Sequence, residues 1–259
     1  MCQECHTVRL RDGVHLDRTT RLAGGVLFPG PDGSLIYTAN ITLASHYPEQ
    51  VLDDVIRGRL AHKFAMPTRV YNRMAADDMR DIIAFLKTLQ PVVRSLPDNY
   101  LPRESALPAP NPPVPEHEAP TGTLERAEYL SRRCACQDCH SPTDSAGGSI
   151  PGHLFEGGMR LQLAEGPVHT TPNITADPEA GIGKWSGADI ARAIRTGVTP
   201  EGRQLDPAMP YSTAFYAMKD EDIRDLISYL RSLKHAKRSG SSVQPGLPIA
   251  VVTEAREPG

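Results

Sequence analysis

Aromatic side chains are scarce in this chain of 259 residues: one Trp, eight Tyr and five Phe make up 5% of it, and hydrophobic residues only 39%. A domain of about 100 residues drawn from such a sequence has a thin apolar core of its own. Long apolar runs are also missing. None approaches the roughly 18 to 20 residues that span a bilayer, and the longest candidate, Leu247 to Val252, is short and contains Pro248. Excess positive charge is absent as well. The net charge is −3 and no basic stripe stands out, which excludes a nucleic-acid partner. No convincing acid/base pair is legible.

Cysteine is rare too, with five in all, and four of them fall into one pattern used twice. Cys2-Gln3-Glu4-Cys5-His6 and Cys136-Gln137-Asp138-Cys139-His140 are both Cys-x-x-Cys-His, the attachment signature of c-type haem. Two thiols at this spacing form thioethers to the two haem vinyl groups, and the next residue presents its imidazole to the iron. Haem would also supply the apolar mass the core lacks. Two rival uses fit the spacing less well. Zinc modules bring a second ligand pair within roughly 12 to 20 residues, and none lies that close here. A thioredoxin-like redox motif needs a βαβ setting, whereas these surroundings read as loops and helices.

The duplication extends beyond the motif. Cys2 maps to Cys136 at an offset of 134, Gly24-Gly25 to Gly157-Gly158 at 133, and Thr38 to Thr42 onto Thr171 to Thr175, again at 133. Leu52 and Ile56 map to Ile190 and Ile194 at 138, and Met66-Pro67 to Met209-Pro210 at 143, after an insertion around Asp177 to Gly187. Met79, Ile82, Ile83, Leu86 and Leu89 map to Ile223, Leu226, Ile227, Leu230 and Leu233 at 144. That last set is the apolar stripe of an amphipathic helix, with Asp77 and Asp220 as expected N-caps. Shorter helices are expected over Gln50 to Arg59 and Gly187 to Thr196, ending at Gly58 and Gly197. A further helix, Thr123 to Arg133, precedes the second motif.

The expected organisation is a first domain over 1–95, a Pro-rich connector over 96–121, a second domain over 122–235 and an extended or disordered tail over 236–259. The connector either wraps over the domains through Tyr100, Leu101 and Leu107 or is a solvated spacer. Met1 abuts the first motif and leaves no room for a helix before it. The expectation is that an export signal and that helix are encoded upstream.

His6 and His140 are the expected proximal iron ligands. For the sixth position each copy offers two methionines, Met66 or Met74 and Met209 or Met218. Met66 and Met209 are preferred, because the following Pro67 and Pro210 hold a loop extended across the haem face. A Met thioether favours ferrous iron. His62 is the rival ligand in the first copy, and Met is also an ordinary core filler. Cys134 is the odd cysteine, with burial preferred over a free or intermolecularly bonded thiol. Trp185, Asn40 and Asn173 are read either as contacts to haem edges or propionates or as packing residues.

Glu128-Tyr129-Leu130, Thr171 to Thr175, Gly181-Ile182-Gly183-Lys184-Trp185-Ser186, Ile194 to Val198 and Met209-Pro210-Tyr211 together form a specific series. On these residues the second domain resembles the cytochrome c subunits that accept electrons from bacterial periplasmic dehydrogenases of alcohols, sugar acids, aldehydes or nicotinate-type substrates. The first domain matches more loosely and lacks the Gly-Ile-Gly-x-Trp-Ser segment. The resemblance implies an all-α fold of two tandem class I cytochrome c domains, the first lacking its N-terminal helix. It also implies two c-type haems, a periplasmic location, and electron transfer from a dehydrogenase to a respiratory-chain acceptor. Many relatives carry three haems and a membrane anchor; two motifs and no span are legible here, with peripheral membrane association left open. The rival functions are a dihaem peroxidase, against which the paired Met-Pro segments argue, and a zinc-stabilised binding module.

Overall fold

The computed structural model describes residues 2–10, 15–29, 33–60, 68–101, 114–144, 149–163, 168–233 and 249–251. Met66, Pro67, His62 and Leu107 lie outside them. The described residues are mostly helical and fall into two compact units, one running to Glu118 and one beginning at Ala119.

The first unit opens with the short helix α1 (Cys2–His6), followed by a hairpin of β1 (Leu27–Pro29) and β2 (Leu35–Tyr37). A 3-10 turn over Ile41–His46 then leads to α2 (Glu49–Arg57), α3 (Thr68–Tyr71) and α4 (Ala76–Lys87). The stripe on α4 is buried at Met79, Ile83 and Leu86, and with Met74 it forms a small core against Leu52 and Ile56 of α2. Gly58 ends α2 at φ 76°, a left-handed conformation that glycine adopts without steric cost.

The second unit begins with α5 (Leu124–Arg133) and α6 (Cys136–Cys139), then a hairpin of β3 (Arg160–Leu163) and β4 (Val168–Thr170), then α7 (Gly187–Thr196) and α8 (Asp220–Ser232). Its core gathers Phe155, Ile182, Ile190, Ile194, Phe215, Ile223 and Leu230. Thr123 caps α5 through its side chain. Ser186 and Asp189 form a reciprocal capping box on α7, which Gly197 ends at φ 70°. Of the tail, only Ile249–Val251 is described, as a short strand, β5.

Two expectations are amended. The repeat also contains a hairpin in each unit, with Leu27 paired to Tyr37 and Arg160 to Thr170, so short strands accompany the helices. Asp77 and Asp220 are not N-caps: the caps are Ala75 and Lys219, neither with a side-chain bond. At α4 the open N–H groups of Ala76 and Asp77 are taken by the carbonyls of Pro115 and Glu116, so no side-chain cap is needed. Asp77 instead pairs with His117, and Asp220 with Arg195. Both acids still sit in the first turn, where they suit the helix dipole.

Candidate haem sites

The spacing of the motif places both thiols on one face of a single helical turn, Cys2 and Cys5 on α1 and Cys136 and Cys139 on α6. All five cysteines are free thiols. Burial, helped by Glu4 and Cys2, pushes the Cys5 thiol up to about 11. The Cys136 thiol is raised as well, by its hydrogen bond with Cys134 and by burial. Cys134 is half-buried rather than buried, and packs against the second unit's core as Cys136 does.

Each motif histidine is fixed through one nitrogen. His6 Nδ1 lies 2.8 Å from the Ala39 carbonyl and His140 Nδ1 lies 2.9 Å from the Pro172 carbonyl. The carbonyl can only accept, so Nδ1 carries the proton and Nε2 keeps its lone pair for a metal. Desolvation by burial lowers both imidazole pKa values from 6.5, partly opposed by those carbonyl bonds, so the rings are neutral near pH 7 and able to ligate.

Around each histidine the same framework recurs bond for bond. Gly24 N–H donates to the His6 carbonyl at 2.9 Å, and Gly157 N–H to that of His140 at 2.7 Å. Gly25 N–H reaches the Thr38 carbonyl and Gly158 N–H the Thr171 carbonyl, both at 2.9 Å. The Thr7 hydroxyl accepts from Leu22 N–H, and the Ser141 hydroxyl from Phe155 N–H, both at 3.0 Å. Leu22 and Phe155 hold left-handed φ values of 63° and 64°, a conformation that costs a side-chain-bearing residue on the order of 1–3 kcal/mol. A Cβ on Gly24 would sit 2.3 Å from the Thr38 oxygen, and one on Gly157 2.4 Å from the Thr171 oxygen. Only glycine allows that approach. Asn40 and Asn173 close the framework as turn residues, each accepting from the N–H and hydroxyl of the threonine two positions on.

The structure brings Met209, Met218, Trp185 and Cys136 against one apolar cluster in the second unit. Met209 sits in a tight turn, its N–H bonded to the Asp206 carbonyl and its own carbonyl to Tyr211 N–H. In the first unit Met74 is a buried core residue, as its alternative reading required, and Met66 is not among the described residues. The contributions of Thr7, Ser141, Leu22, Phe155 and the Ala39 and Pro172 carbonyls are absent from the sequence reading. The signal that could have found the first pair was a hydroxyl directly after the motif histidine in both copies. Among the described residues no group of three or more His, Cys, Asp or Glu gathers as a metal site. No described helix is long and apolar enough to cross a membrane.

Two thiols on one turn, a neutral imidazole with Nε2 uncommitted and a glycine-lined backbone behind it are a donor set that fits a covalently attached c-type haem. Residues 126–234 match the family model described as cytochrome c, and form a cytochrome c domain. The chain is similar to the fructose dehydrogenase cytochrome subunit of Gluconobacter japonicus, 30% identical over 93% of this chain and 52% of that protein. It is 33% identical to the alcohol dehydrogenase (quinone) cytochrome c subunit of Gluconobacter oxydans over 43% of this chain and 22% of the relative. A diheme cytochrome c-type protein of Cereibacter sphaeroides is 34% identical over 46% of this chain and 39% of the relative. The chain therefore spans about half the length of the first of these relatives and less of the other two.

Proposed function

We propose that this chain is a dihaem electron-transfer cytochrome c, taking electrons from a periplasmic dehydrogenase and passing them to a respiratory-chain acceptor. The observation that carries the reading is the recurrence of the histidine framework, Nδ1 to carbonyl, in two units of one chain. It supports two tandem cytochrome c domains, although the family model covers only the second. The names of the relatives, cytochrome subunits of fructose and alcohol dehydrogenases, support a dehydrogenase as donor and the periplasm as location.

In this reading Cys2 and Cys5 hold one haem, and Cys136 and Cys139 the other. His6 and His140 would bind the iron through Nε2, and Met66 and Met209 would supply thioether ligands to it. When bound, haem supplies a one-electron iron couple in which no bond is made or broken. The chain's part is to hold each imidazole at a fixed angle through its carbonyl partner and to exclude water with the apolar cluster behind Met209. No general acid, base or nucleophile is required.

The test is the intact mass of the chain after export through a working haem-attachment system. It should exceed the polypeptide mass by two haems; an excess of one or none rejects the proposal. Met209→Ala and Met66→Ala should each remove part of the thioether-to-iron absorption band, and a variant that leaves the band whole removes that methionine from the ligand set.

A further inference from the structure

The two frameworks match at the backbone bonds given above, and among the described residues one side chain joins the first only. Arg94 Nη1 donates to the Gly24 carbonyl at 3.0 Å. Its guanidinium packs against Gly25, where a Cβ would meet Nη2 at 3.0 Å and Cζ at 3.1 Å. Gly24 in turn donates its N–H to the His6 carbonyl, so the cation is two hydrogen bonds from the proximal imidazole's own backbone.

The strap carrying Arg94 is pinned beside the same histidine. Val92 N–H donates to the Thr42 hydroxyl at 3.0 Å, and the Val92 carbonyl accepts from Asn40 Nδ2 at 2.8 Å. Asn40 directly follows Ala39, whose carbonyl holds His6 Nδ1. Arg94 has no carboxylate partner among the described residues, whereas Arg9 of the same unit is paired with Glu4 at 2.8 Å. In the second unit the place over Gly158 is taken by Pro142, whose Cβ would be 3.6 Å from a Cβ on that glycine. Among the described residues no cation bonds the Gly157 carbonyl.

We propose that Arg94 raises the reduction potential of the first haem site. The inference rests on the two-haem reading above. Taking up one electron makes the site one unit less positive, so a fixed, half-buried cation favours the reduced form. Net charge and hydrogen bonding around the ligands are the protein's levers on such a potential, and partial burial weakens solvent screening of the charge.

The experiment is a redox titration of the full exported chain, with its intact mass measured on the same sample. Arg94→Gln keeps an amide donor for the Gly24 carbonyl and removes the charge; Arg94→Lys keeps the charge. Arg94→Gln should move one of the two midpoints downward and leave the other in place, while Arg94→Lys stays near the wild-type values. In a Cys136→Ala/Cys139→Ala chain, which keeps only the first attachment site, the sensitive midpoint should be the one that remains. No shift with Arg94→Gln, equal shifts of both midpoints, or equal effects of Gln and Lys would overturn the role of Arg94. A mass lacking two haems would instead overturn the two-haem reading, so the two failures are told apart.

Discussion

The last helix of each unit carries the same kinds of residue at an offset of 144, but in different surroundings. On α8, Asp225 is 5% exposed and Leu226 2%. On α4, the matching Asp81 is exposed, Ile82 is half-buried and Phe85 is 49% exposed, where Tyr229 is half-buried. The cause is α5. It crosses α8 and sets the buried Arg126 between Asp222 and Asp225, each at 2.6 Å, while Gly122 N–H adds a bond to Asp225. Among the described residues the helical neighbours of α4 are the Ile41–His46 turn and α2. Yet the histidine framework is the same in both units. The site is therefore a local module, made from the motif turn, the glycine pair and the Asn-x-Thr turn, and does not depend on the helix crossing that stabilises the second unit.

The sharpest way to break that comparison is to strike the module itself. Gly24→Ala and Gly157→Ala each drive a Cβ to within 2.7 Å of three backbone atoms at a positive φ. Each should cost about 4 kcal/mol or more and abolish covalent haem in its own unit while sparing the other. Peptide mass mapping of the two motifs reads this out. Gly158→Ala, whose nearest neighbour would be Pro142 at 3.6 Å, should be much milder although its φ of 88° is also positive. Equal losses from Gly157→Ala and Gly158→Ala would show that conformation rather than contact governs the module.

Next in size is the helix crossing. Arg126→Ala leaves Asp225 buried without its cation and should destabilise the second unit by about 3–5 kcal/mol, the usual cost of removing one partner from a buried pair. Asp225→Ala should cost a similar amount. Asp81→Ala, at the matching but exposed place on α4, should change stability by about 0.5 kcal/mol or less. Denaturant unfolding followed at Trp185, the only tryptophan and one packed on the second unit's core, isolates the effect. Equal losses from Asp81→Ala and Asp225→Ala would mean that α4 is covered as α8 is.

Much of this was legible in the chain because it follows from short-range rules. The stripe of Met79 to Leu89 gave α4, Gly58 and Gly197 gave the helix ends, and two Cys-x-x-Cys-His motifs gave the thiol turns and the histidines. What escaped was set by tertiary partners. Asp77 reads as an N-cap, but carbonyls from Pro115 and Glu116, nearly 40 residues away in sequence, took the N–H groups that a cap would serve. The hairpins were hidden because strands of three or four residues are too short to show an alternating pattern. Arg94 lies in a segment with no periodicity, and only the folded strap brings it to Gly24. The left-handed Leu22 and Phe155 could not be expected from residue type, since neither favours that conformation.

The smallest contrast lies at the helix starts. α7 begins with the Ser186 and Asp189 capping box, while α2, its counterpart in the first unit, begins after Pro48 with no side-chain cap bond. Ser186→Ala should therefore cost the second unit about 1 kcal/mol, with no equivalent position to weaken in α2. The effect should also depend on pH. The Ser186 hydroxyl and backbone N–H hold the Asp189 carboxyl below its ordinary value of 3.8. A folded pKa below the unfolded one means that this contribution is complete above 3.8 and is lost as pH falls through the lowered value. The gap between wild type and Ser186→Ala, read from thermal unfolding of the second unit, should be widest near neutral pH and narrow in acid. A gap constant across that range would mean that the serine stabilises α7 through its hydroxyl bond to Asp189 N–H alone, with no help from the carboxylate.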